Sequence, residues 1–393
     1  MNIEDIKVIN LLYKIPNEKR MAYAGGSITG RLTTLVQVET NNRLLGFGSA
    51  YSHPELLRIV IEGHLRPLLL GEDPRDVESL WEIMYQATRW YGRKGVAISA
   101  IGALDTAFWD LRGKDLGKPV YELLGGSRNK IPAYASALVW NDSLDSLFEE
   151  AGGYVDKGFR RVKMRLGKNE EYDIAALKTV RKAVGPKIDI IVDASMRYSL
   201  KVAEQLGKSF KEHNVFWYEE PFEPENIDDY VQLRKSCQVP LAAGENEFGV
   251  QGFREMLRAG ALDIVQPDSC RAGGITECYR IGQLANQHNC QTATHTWSDA
   301  VALTANMHVI SALPNGLTVE VDRTGNPFID NLLIEPFTIK DGLISLPPSP
   351  GLGITINESV VRQLTLPSEN SLPPGAYSDM SFGKNHWVFR EPF

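Results

Sequence analysis

Hydrophobic and polar positions change rhythm twice along the 393 residues. In residues 1–125, "IKVINLLYKI" and "TTLVQVET" alternate as strands do, with "TNNR" as a turn before "LLGFGSAY". "PELLRIVIEGHLRPLLL" and "PRDVESLWEIMYQATRW" then predict helices, each opened by a proline. "GVAISAIGALDTAFWDLRGKDLG" predicts a third, rich in small residues and buried. This block is α+β. In residues 126–330 short apolar runs alternate with amphipathic stretches. The runs are "IPAYAS", "RVKMRL", "IDIIVDAS", "VFWYEEP", "PLAAGEN", "DIVQPDS", "QTATHTW" and "GLTVEVD". Strict alternation of this kind implies parallel strands. Eight of them predict a TIM-type barrel, with a doubly wound open sheet as the alternative. After the eighth, "RTGNPFIDNLLIEPF" is not a regular barrel helix, so the last unit is expected to be degenerate. Residues 331–393 begin with a hairpin signal, "IKDGLISL". Their strand-like character predicts a return to the first block. The Pro-, Ser- and Gly-rich tail from Leu366 is expected to be irregular and to lie on another surface.

Composition narrows the picture. Hydrophobic residues make up 43%, enough for a large core, and the net charge is −7. No basic stripe appears, which argues against nucleic acid or an anionic membrane as partner. No run approaches a membrane span, and "MNIEDIKVIN" lacks the features of a signal peptide. Four cysteines, none in a CxxC, do not make a disulfide framework and fit a reducing cytoplasm.

One stretch poses a chemical problem. "FWYEEPFEPEN" (216–226) begins as a buried strand and runs into two carboxylates, Glu219 and Glu220. A buried, unpaired carboxylate costs several kcal/mol or takes up a proton. Asp193 ends "IIVD" and Glu245 ends "LAAGE", and 26 residues separate each from Glu219, one βα unit. A lone acid after a strand is usually a helix cap or a solvated loop residue. Three at matched strand ends converge on the barrel mouth, where they repel one another unless a cation intervenes. An all-oxygen set suits Mg²⁺ first, with Mn²⁺ as the alternative. Glu219 would then be held ionised by the metal, while Glu220 would brace a neighbouring cation or a helix N-terminus.

The series continues around the barrel. Lys163 and Arg165 lie two apart on the second strand and so share a face. Asp268, His295 and Glu320 end the sixth, seventh and eighth strands. An Asp beside a His fixes its tautomer and stabilises the imidazolium, which makes His295 a candidate base.

The ordered set "VKMR", "VDAS", "YEEP", "GEN", "QPD", "TH" and "VEVDRTGNPF" resembles the enolase superfamily, in its mandelate racemase and acid-sugar dehydratase branch. The resemblance spans nearly the whole chain. It implies a modified (β/α)₇β barrel and an N-terminal capping domain completed by C-terminal residues. It implies Mg²⁺ on Asp193, Glu219 and Glu245, and a His295–Asp268 dyad. Lys163 would contact the substrate carboxylate and Glu320 would hydrogen-bond it as an acid. The substrate would be a small carboxylate and the protein a homo-oligomer. Two positions depart from many relatives. Arg165 stands where a second, basic Lys is common, and a guanidinium is a poor base. Ser195 stands where Asn is frequent. The segment "VEVDRTGNPF…PPSPGLGITIN" is also similar to sugar-lactone cycloisomerases of this branch.

The chemistry these residues imply is removal of the proton next to a carboxylate. Loss of a hydroxyl from the next carbon would then give a 2-keto-3-deoxy acid. Cycloisomerisation and racemisation on the same scaffold are the alternatives, and a non-catalytic ligand binder is the remote one. The "RAGGIT" glycines as a phosphate site are a weak reading without a fuller motif. Specificity is expected from the first block, where Arg20, Tyr23, Tyr51, His53 and Tyr91 are candidates for the distal end of the substrate. Trp297, just after His295, is a candidate pocket wall.

Overall fold

The computed structural model describes residues 1–367, 372, 376–377, 380–381 and 391–393. The N-terminal block is built on an antiparallel sheet of β1 (Ile3–Lys14), β4 (Gly30–Thr40) and β5 (Leu45–Ala50), with β4 central. Between β1 and β4 the chain forms a small hairpin, β2 (Met21–Tyr23) and β3 (Gly26–Ile28). The helix Val96–Leu116 is buried on nearly every side over its first four turns, as its small, apolar sequence predicts. It lies directly on β5. A Cβ at Gly48 would stand 1.9 Å from the Ala103 carbonyl oxygen, so only glycine permits this approach. The proline-opened run after β5 is less regular than expected. Pro54–Arg58 is α-helical, but Ile59–Leu65 widens into a π-helix before Arg66–Leu69. Pro67 has no N–H to give and its ring crowds the preceding turn, and the wider turn lets the Arg66 N–H bond five residues back to Ile61.

Eight parallel strands form the barrel: β6 (Lys130–Ser136), β7 (Arg161–Arg165), β8 (Asp189–Asp193), β9 (Val215–Glu219), β10 (Leu241–Ala243), β11 (Ile264–Val265), β12 (Gln291–Thr294) and β13 (Gly316–Asp322). They neighbour one another in chain order, and β13 pairs with β6 to close the ring. The open-sheet alternative is thereby excluded. Full α-helices follow the first seven strands, whereas only the single turn Pro327–Asp330 follows the eighth. The barrel is (β/α)₇β.

The segment 331–393 divides its loyalties. The hairpin β14 (Ile339–Lys340) and β15 (Leu343–Ser345) turns through Asp341 and Gly342, both at positive φ. It does not join the first block: β15 adds antiparallel to the start of β6, at the floor of the barrel. The chain returns to the first block later, where Thr365 bridges to Leu11 and the Leu366 N–H bonds to Asn10. The tail differs from expectation. β16 (Ala376–Tyr377) and β17 (Met380–Ser381) extend the β2–β3 hairpin into a four-stranded sheet over the barrel mouth. Phe393 bonds through its backbone to Arg197 and Ser199 in the loop after β8. Residues 368–371, 373–375, 378–379 and 382–390 of the tail lie outside the described residues.

The two blocks are joined through buried polar contacts. Asp299 caps the helix Ala300–Ala312 by accepting from the N–H groups of Val301 and Ala302 at 2.8 and 2.9 Å. The same carboxylate accepts from Thr33 on β4 and from Ser49 on β5. Arg31 on β4 forms a buried ion pair with Asp322 at the end of β13. Replacing Asp299 by Ala removes a cap and strands two hydroxyls. The expected loss is roughly 2–4 kcal/mol, from a cap of about 1 and charge-assisted bonds of about 1.5–3. Urea unfolding should show an earlier first transition, and an unchanged midpoint would refute the account.

Candidate active site

The strand register assembles the polar cluster. Arg165 pairs with Asp193 across β7 and β8, and Asp193 pairs with Glu219 across β8 and β9. These three therefore occupy one rung at the C-terminal rim, all pointing inward. Lys163 lies one inward position below Arg165 and is fully buried. Its ammonium touches three carboxylates: Glu219 and Glu320 at 2.6 Å, and Asp193 at 3.4 Å. Arg165 is paired with Asp193. Glu245 stands two residues beyond β10 and completes the group. Asp193, Glu219 and Glu245 each offer an oxygen within 4.8 Å of the others.

These residues fit a hard divalent cation. The donors are all carboxylate oxygens, and one Glu245 oxygen (Oε2) is buried without a hydrogen-bond partner among the described residues. The remaining lone pairs are oriented by neighbours. Asp193 accepts from the Ser195 N–H and hydroxyl at 2.8 and 2.9 Å. Glu219 accepts from Trp217 Nε1 and Gln266 Nε2, both at 2.9 Å. Glu220 departs from expectation. It braces neither a cation nor a helix terminus, but grips the Gly244 N–H at 2.9 Å and the Asn246 amide at 3.1 Å. Those two residues flank Glu245, so Glu220 fixes the loop that carries it.

Across the mouth, Asp268 Oδ2 lies 2.7 Å from His295 Nδ1. The other Asp268 oxygen accepts from Asn306, whose amide also bonds to the His295 carbonyl at 2.8 Å. His295 Nε2 faces Glu245 at 3.7 Å and Glu320 at 3.9 Å.

Burial and mutual charge decide the protonation of the cluster. Burial disfavours ionisation of Asp193, yet Arg165 and Lys163 overcome it and hold the carboxyl at about 2. Burial drives Glu219 up to about 8; Lys163 opposes this while Asp193 and Glu245 add to it. Glu320 is held at about 2, because Lys163, His295 and Arg165 outweigh burial. Its carboxylate accepts from Lys163 and from the Thr296 N–H. His295 rises to about 9: burial works against the imidazolium, but Glu245, Glu320 and Asp268 favour it more strongly. A base must be neutral, so these carboxylates work against His295 in that role. Neutralising Glu245 with a cation removes one of those attractions. The His295 ring resonance, followed by NMR, is expected to titrate near 9 without Mg²⁺ and at lower pH with it. An upward shift on adding Mg²⁺ would contradict this.

A cavity of about 230 Å³ opens above the cluster. Of the candidate residues, Tyr23, Tyr51, Trp297, Arg165, Glu245 and His295 line it. The Trp297 ring lies between Arg31 and Arg165, at 4.3 and 5.0 Å. Three candidates lie elsewhere. Arg20 lines a neighbouring cleft with Trp140 and Lys168. His53 sits at the N-terminus of Pro54–Arg58 and does not line the cavity. Tyr91 is 56% exposed, and its hydroxyl bonds to His64 at 2.7 Å. Its loop turns the aromatics outward, and the exposed Lys94 on the same loop pairs with Glu247. Sequence reasoning missed Arg271 and Tyr377, which also line the cavity, and Asn306 behind the dyad. Asn306 had a signal: it is a polar residue in a helix apolar on every face, where an amide needs partners.

Residues 9–125 match the family described as mandelate racemase / muconate lactonizing enzyme, N-terminal domain, and residues 146–360 match the enolase C-terminal domain-like family. The chain is 35% identical to an arabinonate dehydratase of Saccharolobus solfataricus, over 92% of this chain and 98% of that one. It is 33% identical to a D-galactarolactone cycloisomerase of Agrobacterium fabrum, over 86% and 92%. The crystal structure of a 3,6-anhydro-D-galactonate cycloisomerase from Zobellia galactanivorans superposes with a TM-score of 0.86 at 31% identity, covering 93% of this chain and 100% of that one.

Proposed function

The chain belongs to the enolase superfamily, in its mandelate racemase and acid-sugar dehydratase branch, and on that premise we propose that it dehydrates a sugar acid to a 2-keto-3-deoxy acid. Asp193, Glu219 and Glu245 would hold Mg²⁺, or Mn²⁺ in its place, and a divalent ion there supplies Lewis-acid stabilisation of negative charge developing on the substrate carboxylate. Lys163, buried one inward position below the rim, adds a fixed positive charge on the same side. His295, oriented through Nδ1 by Asp268, takes the α-proton at Nε2. The electron pair left on the α-carbon forms a double bond to the β-carbon as the β-hydroxyl departs. The imidazolium returns the proton to that hydroxyl, so water leaves. The enol then tautomerises to the keto acid.

The observation that carries this reading is the asymmetry of the two sides. One side holds a His–Asp dyad. The other holds Arg165, which is paired with Asp193 and cannot readily serve as a base. Racemisation needs a proton donor opposite the base, whereas elimination needs only one side. Cycloisomerisation shares the first step, and two of the relatives above are cycloisomerases. A stereochemical library of aldonic and aldaric acids and their lactones separates the two. The expected result is a 2-keto acid formed with loss of water. Consumption of a lactone with no water lost would replace this reading with the cycloisomerase one. Equal α-proton exchange from both enantiomers in ²H₂O would refute the one-sided argument.

A further inference from the structure

Many of the charged side chains around the mouth pair off with an opposite charge, and Arg271 does not. Lys163 is matched by Glu219 and Glu320, Arg165 by Asp193, His295 by Asp268, Arg31 by Asp322 and Lys94 by Glu247. Arg271 is half-buried, yet among the described residues no carboxylate lies within 4.0 Å of its guanidinium. Its polar contact is a long bond to the Asn246 side-chain oxygen at 3.4 Å, and its Nε is buried with no hydrogen-bond partner. Aromatic faces hold it in place, Tyr51 at 5.4 Å and Phe248 at 5.3 Å. A guanidinium left in that position gains from an anion that can take its planar fork.

The barrel fixes where that anion would be. Arg271 follows β11 and Lys163 lies on β7, four strands apart in a ring of eight, so the two cations stand on opposite sides of the mouth. The cavity that Arg271 lines reaches Arg165, one inward position above Lys163, and is also lined by Tyr23, Tyr51 and Tyr377, phenols suited to hydrogen-bonding a polyhydroxy chain.

We propose that Arg271 binds a second carboxylate at the distal end of the substrate, so that the preferred substrates are dicarboxylic sugar acids rather than monocarboxylic ones. The proposal deepens the function given above, and rests on it in taking this cavity as the substrate site.

Binding separates the two ideas because it needs no turnover. In His295→Asn protein with Mg²⁺, calorimetry would compare five- and six-carbon aldarates with the aldonates of matching configuration, galactarate against galactonate among them. The tightest aldarate is expected to bind at least about 30-fold better than its aldonate, as a charge-assisted pair would give. Arg271→Gln should erase that margin by weakening the aldarate alone, while Arg271→Lys should keep part of it. The proposal is overturned if the tightest ligand of the panel is a monocarboxylate, if no aldarate binds, or if Arg271→Gln weakens both classes alike. Keto-acid formation by the wild type is read separately. Its absence alongside a retained aldarate margin would remove the dehydratase reading and leave this one standing.

Discussion

His295→Asn is expected to lower turnover by about 10⁴-fold and to stop α-proton exchange with solvent to the same degree. A positioned general base contributes about 10²–10⁴-fold. The upper end is expected here because no second base faces the α-carbon: Lys163 is held protonated among Glu219, Glu320 and Asp193, which outweigh its burial and the nearby Arg165. The amide of Asn can still donate to the Asp268 carboxylate, so the fold and the cap–barrel contacts should survive. ²H uptake into the substrate and formation of product would be measured together. If exchange persists while product is lost, the base is another residue and His295 acts only on the leaving group.

The second large effect is expected from Glu245→Gln. The neutral amide keeps the shape but loses the charge, and its nitrogen cannot ligate a cation. Replacing a group that merely orients a ligand typically costs 10–100-fold in metal affinity. Removing a ligand itself should cost more than about 100-fold, read as Mg²⁺ affinity by calorimetry. Turnover at millimolar Mg²⁺ should fall in step. Wild-type affinity in this variant would remove Glu245 from the ligand set and with it the three-acid account of the site.

Much of this site is legible in the sequence because a βα unit has a nearly fixed length. Once Asp193, Glu219 and Glu245 are seen one unit apart, the barrel places them on adjacent strand ends. The same logic finds Asp268, His295 and Glu320. It fails where loops decide. Tyr91 and Arg20 are aromatic and basic residues in plausible loops, but the direction of a loop side chain depends on contacts that spacing does not encode. Arg271 is only three residues past Asp268, yet whether it turns inward depends on the faces of Tyr51 and Phe248 from distant parts of the chain. Glu220 shows a subtler limit. Its left-handed backbone, φ 43°, turns it away from Glu219 and towards the next loop, and nothing in "YEEP" announces that reversal. The tail strands are two residues each; β16 pairs with β17, and β17 pairs with β3, itself only three residues long, so the partner is chosen by proximity and not by pattern.

Lys163 and Arg165 also bear on how the protein copes with scarcity. In a small zinc domain the ligands have nothing but the metal to hold them, and chelation unfolds the chain. Here two resident cations already press against Asp193, Glu219 and Glu320, and they offset part of the mutual repulsion of the acids. If Asp193, Glu219 and Glu245 hold the ion as proposed, chelation should take the ion and leave the fold, read as an unchanged far-ultraviolet circular dichroism spectrum, and loss of that spectrum would refute the contrast.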